Sequence, residues 1–207
     1  MRFGVCIYDG VEPIDLATFG VLSMARRIRP DIDICTIAPR AGVVLLSNGL
    51  RVMADYDLAS APPLDVVIVT GGPGWAAQSQ APDMLDFLRR RAADTLLVSV
   101  CTGGMILAAA GMLDGRMATT KREVVPPEQS PVQRMREQWP AIDVREASLV
   151  DTGPIVTGGG VSLCIDTILH VLARLLGEDV ARETARILEY QRAWAANRAQ
   201  FPPLVPG

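Results

Sequence analysis

The stretch Thr95-Leu96-Leu97-Val98-Ser99-Val100-Cys101-Thr102-Gly103-Gly104 decides how this chain is read. A run of apolar and β-branched residues ends in a cysteine, two glycines follow, and Met105-Ile106-Leu107-Ala108-Ala109-Ala110 continues as a helix pattern. A strand that turns sharply into a helix lifts the residue at the turn out of the sheet, which is the geometry of a nucleophile elbow. A thiol placed there also meets a helix N-terminus, whose N–H groups and macrodipole favour the thiolate. A free cysteine more often serves as a small core hydrophobe. Its place at the strand end, not mid-strand, puts the nucleophile reading of Cys101 ahead.

Working outward, the preceding strand pattern is Val66-Val67-Ile68-Val69-Thr70, and it runs into Gly71-Gly72-Pro73-Gly74. Between the two strands, Pro82 to Ala93 reads as a helix with Arg89, Arg90 and Arg91 at its end, where positive charge suits the dipole. Towards the N-terminus, Arg2–Tyr8 and Asp31–Ala38 are buried-type strands around a helical segment, Val11 to Ile28. Ser47-Asn48-Gly49 between Val43–Leu46 and Leu50–Met53 is a hairpin signal. Towards the C-terminus, Met117–Thr120 reads as a short strand. Ser130-Pro131 reads as an N-cap and first helical residue. Val144–Ala147 and Ile155–Thr157 read as edge-like strands around Asp151-Thr152-Gly153-Pro154. Gly158-Gly159-Gly160 opens a helix from Ser162 to Leu176, stopped by Gly177, and Glu178–Tyr190 reads as the last helix. The tail from Phe201 to Gly207 is proline-rich and expected to be irregular. Strands alternating with helices predict an α/β fold, a mostly parallel sheet with helices on both faces.

At 207 residues the chain supports one substantial core, and we expect a single domain over 1–207. A net charge of −3 gives no electrostatic footprint for nucleic acid or an anionic membrane surface. No apolar run reaches the roughly 20 residues of a spanning helix. The N-terminus passes directly into a strand pattern rather than a secretory signal. Cys6, Cys35, Cys101 and Cys164 are scattered without a CxxC, so we expect reduced thiols and a cytoplasmic protein.

Ligands of such sheets collect at the carboxyl ends of the strands. Three features fall there: Cys101, the Gly71-Gly72-Pro73-Gly74 turn, and the segment after the first strand with Glu12 and Asp15. A glycine-rich turn beside a nucleophile can offer N–H groups to a developing anion; a simple tight turn is the plainer alternative. Asp15 fits either a helix-start or surface aspartate, or, given Ile14 and Leu16 around it, a first-turn position near a pocket. No GxGxxG or Walker pattern supports phosphate binding.

Ile14-Asp15-Leu16, Thr70-Gly71-Gly72-Pro73-Gly74, Ser99-Val100-Cys101-Thr102-Gly103, Ala109-Ala110-Gly111-Met112-Leu113-Asp114-Gly115-Arg116, Thr119-Thr120, Gly158-Gly159-Gly160 and Ile165-Asp166 together resemble the ThiJ/PfpI superfamily, and within it the isonitrile hydratase-like branch. The resemblance covers about the first 190 residues, the span of one such domain. It implies a flavodoxin-like three-layer sandwich of the class I glutamine-amidotransferase type, usually a homodimer. It further implies a cysteine that attacks the terminal carbon of an isonitrile, a carboxyl group that handles protons, and an N-substituted formamide as product. Carried over, the nucleophile is Cys101, the acid/base is Asp15, Thr102 adjoins the thiol, and Gly71, Gly72 and Gly74 line an oxyanion or substrate pocket. No cofactor is required, and the partner is a small-molecule substrate. No metal site is expected, since histidine and cysteine residues do not cluster in the sequence.

Two departures stand out. Lys121-Arg122 follow Thr119-Thr120 where the branch commonly has a histidine and an aromatic, and Thr18-Phe19 replace its Gly-Pro. The sole histidine, His170, is expected to form an i,i+4 pair with Asp166 on one helix face. The alternatives are another ThiJ/PfpI activity (glyoxalase-, deglycase- or protease-like, or a redox-sensing chaperone) and a non-catalytic ligand-sensing domain related to AraC-type regulators. With Gly207 as the last residue, the DNA-binding region of such a regulator is not expected. Glu12 is the alternative carboxyl partner of Cys101.

Overall fold

Strands such as Val66-Val67-Ile68-Val69 have no polar face, so a sheet built from them needs cover on both sides. In the computed structural model, which describes residues 1–205, they receive it. The first half of the chain comprises β1 (Arg2–Cys6), a 3-10 turn (Pro13–Leu16), α1 (Ala17–Ala25), β2 (Asp33–Ala38), β3 (Gly42–Leu45), β4 (Arg51–Ala54), β5 (Tyr56–Asp57), β6 (Val66–Val69), α2 (Trp75–Gln78), α3 (Pro82–Arg91), β7 (Leu96–Ser99) and α4 (Gly103–Ala109). The second half comprises β8 (Met117–Ala118), α5 (Pro131–Gln138), β9 (Asp143–Val144), β10 (Leu149–Asp151), β11 (Ile155–Gly158), α6 (Leu163–Leu176), α7 (Glu178–Ile187) and α8 (Gln191–Gln200).

The main sheet has the order β10-β11-β7-β6-β1-β2-β5, parallel throughout except for the β10–β11 pair. α1, α6 and α7 pack together, with α6 also against β11, while α4 packs on β6, β7, α2, α3 and α5. Val67, Ile68 and Leu97 are fully buried, and each such side chain contributes roughly 1.5–3 kcal/mol relative to exposure. β6 lies between β1 and β7, so the loops that follow these three strands converge on one edge. The β1 loop carries Asp15, the β6 loop carries Gly71–Gly74, and the β7 loop carries Cys101.

The Ser47-Asn48-Gly49 hairpin is present, with Asn48 at φ 59° and Gly49 at φ 88°, conformations that suit these two residue types. Several boundaries differ from the sequence reading. Of Val144–Ala147 only Val144 lies in a strand, β9, which pairs with β8 outside the main sheet. β10 takes the sheet edge, and Ile155–Gly158 lies inside the sheet rather than at its edge. The helix from Glu178 ends at Ile187, where Glu189 takes φ 55°, and α8 follows as an additional helix. Ser130 caps no N–H; its hydroxyl donates to the Arg122 carbonyl at 2.8 Å. The tail is not wholly irregular: Leu204 bridges to Val150 beside the β10 edge. The end of the tail lies outside the described residues.

His170 and Asp166 do not pair. Nε2 of His170 lies 2.7 Å from Oδ2 of Asp151, and Arg174 donates to the other oxygen of the same carboxylate at 2.9 Å. Asp166 instead accepts hydrogen bonds from Tyr190 at 2.8 Å and from Asn197. A buried carboxylate needs several donors, and each of these aspartates finds them on other elements. A surface i,i+4 pair contributes only a few tenths of a kcal/mol and does not compete.

Candidate active site

Cys101 follows β7 with φ 52°, a left-handed conformation that non-glycine residues rarely adopt. Its neighbours hold it there. Its N–H donates to the Gly159 carbonyl at 3.0 Å, and its own carbonyl accepts from the Thr120 hydroxyl at 2.7 Å. Thr119 is tied to the Thr157 hydroxyl at 2.9 Å. The strain expected of an elbow is thus offset by bonds from two other loops.

Small residues let the loops close on this turn. A Cβ at Gly71 would lie 2.4 Å from the Thr102 nitrogen, and one at Gly103 would lie 2.1 Å from the Val69 carbonyl oxygen. The glycine N–H groups, however, are already committed. Gly71 donates to Oδ2 of Asp15 at 2.6 Å, Gly72 to the Thr102 hydroxyl at 2.8 Å, and Gly74 to the Gly10 carbonyl at 3.1 Å. Close backbone approach is therefore what these three glycines supply. The oxyanion role expected of them has no unbonded N–H behind it, and of the three only Gly72 lines the cleft.

Asp15 sits in the 3-10 turn after β1 and is fully buried. Burial raises its pKa to about 7 against the lowering effect of the Gly71 N–H; Glu12 raises it further, while Lys121 and the Cys101 thiol favour its ionised form. The thiol contact falls short of a formed hydrogen bond, since Oδ1 of Asp15 has no partner within bonding geometry. Burial likewise pushes the Cys101 thiol up to about 12, with the Asp15 charge adding to the rise and Thr102 and Lys121 opposing it. Desolvation thus works against the helix-terminus effect expected from the sequence, while the Thr102 N–H at the start of α4 still favours the thiolate. Burial favours the protonated form of both groups, each acting on the other. Of the two carboxyls, Asp15 is the one whose charge raises the thiol pKa.

A cleft of about 580 Å³ opens over Cys101 and Thr102. Its walls include Glu12, Ile14, Gly72, Trp75, Lys121, Val124, Glu128, Arg134 and Val161. Arg134 stacks over the Trp75 ring at 5.6 Å. A model of the DJ-1/PfpI family matches residues 1–174. This chain belongs to the DJ-1/PfpI family.

Isonitrile hydratase of Pseudomonas putida is 31% identical to it over 198 residues, 93% of this chain and 80% of that protein. The HTH-type transcriptional regulator GlxA of Rhizobium meliloti (strain 1021) is 32% identical over 181 residues, 86% of this chain and 51% of the regulator. A ThiJ/PfpI family protein from Pseudomonas syringae superposes with a TM-score of 0.79 at 23% identity, covering 97% of this chain and 87% of that one, a likeness of fold.

The DJ-1/PfpI fold thus brings Cys101, Thr102, Asp15 and Gly72 together, as the sequence motifs require. Sequence reasoning did not foresee the cleft wall from Lys121 to Arg134. That segment carries no periodic apolar pattern, and only the packing of α5 against α4 carries it over the elbow. The Lys121 departure after the Thr119-Thr120 pair was the one sequence signal pointing to it.

Proposed function

We propose that this DJ-1/PfpI protein is a cysteine-dependent hydratase whose substrate is a small isonitrile and whose product is an N-substituted formamide. The observation that carries this reading is the pairing of a desolvated thiol with a buried carboxyl of pKa about 7 at the floor of a cleft. A base with a pKa near the working pH combines availability with driving force. The 31% identity to isonitrile hydratase across most of both chains supports the same reaction class.

The chemistry follows from the proton balance. Ionised Asp15 takes the thiol proton as sulfur attacks the terminal isonitrile carbon, forming the C–S bond. The carboxyl then returns that proton to the same carbon, leaving an S-linked thioimidate. Water adds across the C=N bond, with oxygen on carbon and a proton on nitrogen. Collapse of the adduct breaks the C–S bond and releases the formamide, and sulfur regains a proton. Splitting one hard addition into two steps is the advantage of a covalent intermediate. No step calls on a cofactor or metal. Thr102 supports the site by tying the loop after β6 in place: its hydroxyl accepts from the Gly72 N–H at 2.8 Å and donates to the Gly72 carbonyl at 3.3 Å.

A homodimer in the cytoplasm is part of the same proposal. Val43, Leu45, Leu50 and Met53 on the β3–β4 hairpin are exposed large hydrophobics, with Met53 at 64%. Contiguous exposed apolar side chains of this kind mark interaction surfaces. No helix among the described residues is long and apolar enough to cross a membrane.

The similarity to GlxA favours one second reading, a ligand-sensing domain with a related cleft and no turnover. A screen of small isonitriles and α-oxoaldehydes against wild type and Cys101→Ser separates the readings. Formamide appearing only with wild type and an isonitrile is the expected result. Conversion of α-oxoaldehydes alone, or saturable binding of isonitriles without turnover, would overturn the hydratase reading.

A further inference from the structure

Two cations, Lys121 and Arg134, line the cleft, and neither has an ion-pair partner among the described residues. Arg134 is held by the Trp75 ring and a long contact to Gln129. Lys121 is the cation next to the reacting group. A Cβ at Gly160 would lie 2.9 Å from both Cβ and Cγ of Lys121 and 3.1 Å from Sγ of Cys101, so the lysine stem and the thiol flank one bare backbone position. Its charge favours the ionised forms of both Asp15 and Cys101. The carboxylates in the cleft wall, Glu12 and Glu128, form no ion pair with either cation. A half-buried cation in the cleft whose stem flanks the reacting thiol, with no ion-paired carboxylate on it, fits an anionic group on the ligand.

We propose that Lys121 binds a carboxylate on the substrate, so that the preferred substrate class is an isonitrile whose substituent carries an anionic group a short chain from the reacting carbon. This rests on the reading of Cys101 as the nucleophile and deepens it. Trp75, Val124, Ile14 and Val161 supply the apolar remainder of the wall. The proton chemistry is handled by Asp15 and does not call on Lys121.

Alkylation of Cys101 tests the subsite without any hydratase substrate. Iodoacetate and iodoacetamide react alike: sulfur forms a bond to carbon and iodide leaves with the electron pair. They differ in charge. Rates at Cys101 are read by mass spectrometry at one pH, and the iodoacetate-to-iodoacetamide ratio cancels any change in thiol ionisation. The ratio at Cys101 in wild type should exceed that of a free thiol under the same conditions. In Lys121→Met it should fall about tenfold, on the scale of one close charge pair in a partly solvated site, and in Lys121→Arg it should be retained. A lysine that only activates the thiol would slow both reagents equally, and an unchanged ratio in Lys121→Met would overturn the proposal. Failure of both reagents to label Cys101 in wild type would overturn the nucleophile reading, and the subsite with it. A retained ratio effect in a protein that hydrates no isonitrile would keep the anion subsite and discard the hydratase.

Discussion

The Gly71 N–H donates to Oδ2 of Asp15 at 2.6 Å, joining the loop after β6 to the loop after β1 beneath the cleft. That bond orients a buried carboxyl without neutralising the cost of its burial, so Asp15 is held in place while its pKa stays high.

The first consequence is a cost in stability with a defined sign. The folded-state pKa of Asp15, about 7, lies above its unfolded value of 3.8. The folded protein therefore binds more protons than the unfolded chain between these values, and stability falls as pH rises through that window. Asp15→Asn removes this contribution while keeping an acceptor for Gly71. Chemical denaturation at pH 4.5 and pH 8 should show the variant gaining about 2–4 kcal/mol over wild type at the higher pH relative to the lower. An identical pH dependence in the two proteins would contradict the buried-carboxyl account.

Gly71 also lies directly against the Cys101–Thr102 turn. Gly71→Ala places a methyl group 2.4 Å from the Thr102 nitrogen and 2.9 Å from the Cys101 Cβ. Backbone displacement should cost about 1–3 kcal/mol or more, measured by urea denaturation, with turnover lost in the fraction that folds. An alanine variant of wild-type stability would show that the elbow has room the geometry denies.

Cys101 should be the first of the four thiols to react. Cys6 and Cys164 are fully buried, and burial also raises Cys35 to about 11. Cys101 alone lies in the cleft next to a carboxyl base. Limited iodoacetamide treatment of the native protein, followed by peptide mapping, should modify Cys101 ahead of the rest. Earlier labelling of Cys35, the most exposed of the four thiols, would assign the reactivity to exposure alone.

Much of this arrangement was legible because local rules and tertiary structure agree. The β7 run ends in Cys101-Thr102-Gly103, and only a tight strand-to-helix turn uses that order of residues. Ser47-Asn48-Gly49 likewise admits few backbones. What was not legible depends on distant partners. Leu149–Asp151 reads as the lead-in to a turn, yet Asp151 is buried because His170 and Arg174 reach it from α6. Gln191–Gln200 has one buried residue, Trp194, and no apolar periodicity, so α8 leaves little trace in the sequence. The thiol's electrostatics follow the same pattern: the helix terminus is visible in sequence, and the desolvation that opposes it is not.

The β3–β4 hairpin yields a prediction about assembly. Sedimentation at micromolar concentration should give a species of twice the 22.2 kDa chain mass, and Met53→Glu should shift it towards the monomer by placing a charge in an apolar contact. A monomer at all accessible concentrations would remove the dimer from the account.

The most direct test of the central claim, that Asp15 accepts the Cys101 proton, is the pH profile of Cys101 alkylation by iodoacetamide in wild type and Asp15→Asn. In wild type the rate should rise through an inflection near pH 7, where Asp15 ionises. In Asp15→Asn that inflection should vanish, reaction should wait for alkaline pH, and isonitrile turnover at pH 7 should fall by roughly 10²-fold or more. Profiles of the same shape in both proteins, with a single inflection in the ordinary thiol range, would show that Cys101 loses its proton without help from Asp15.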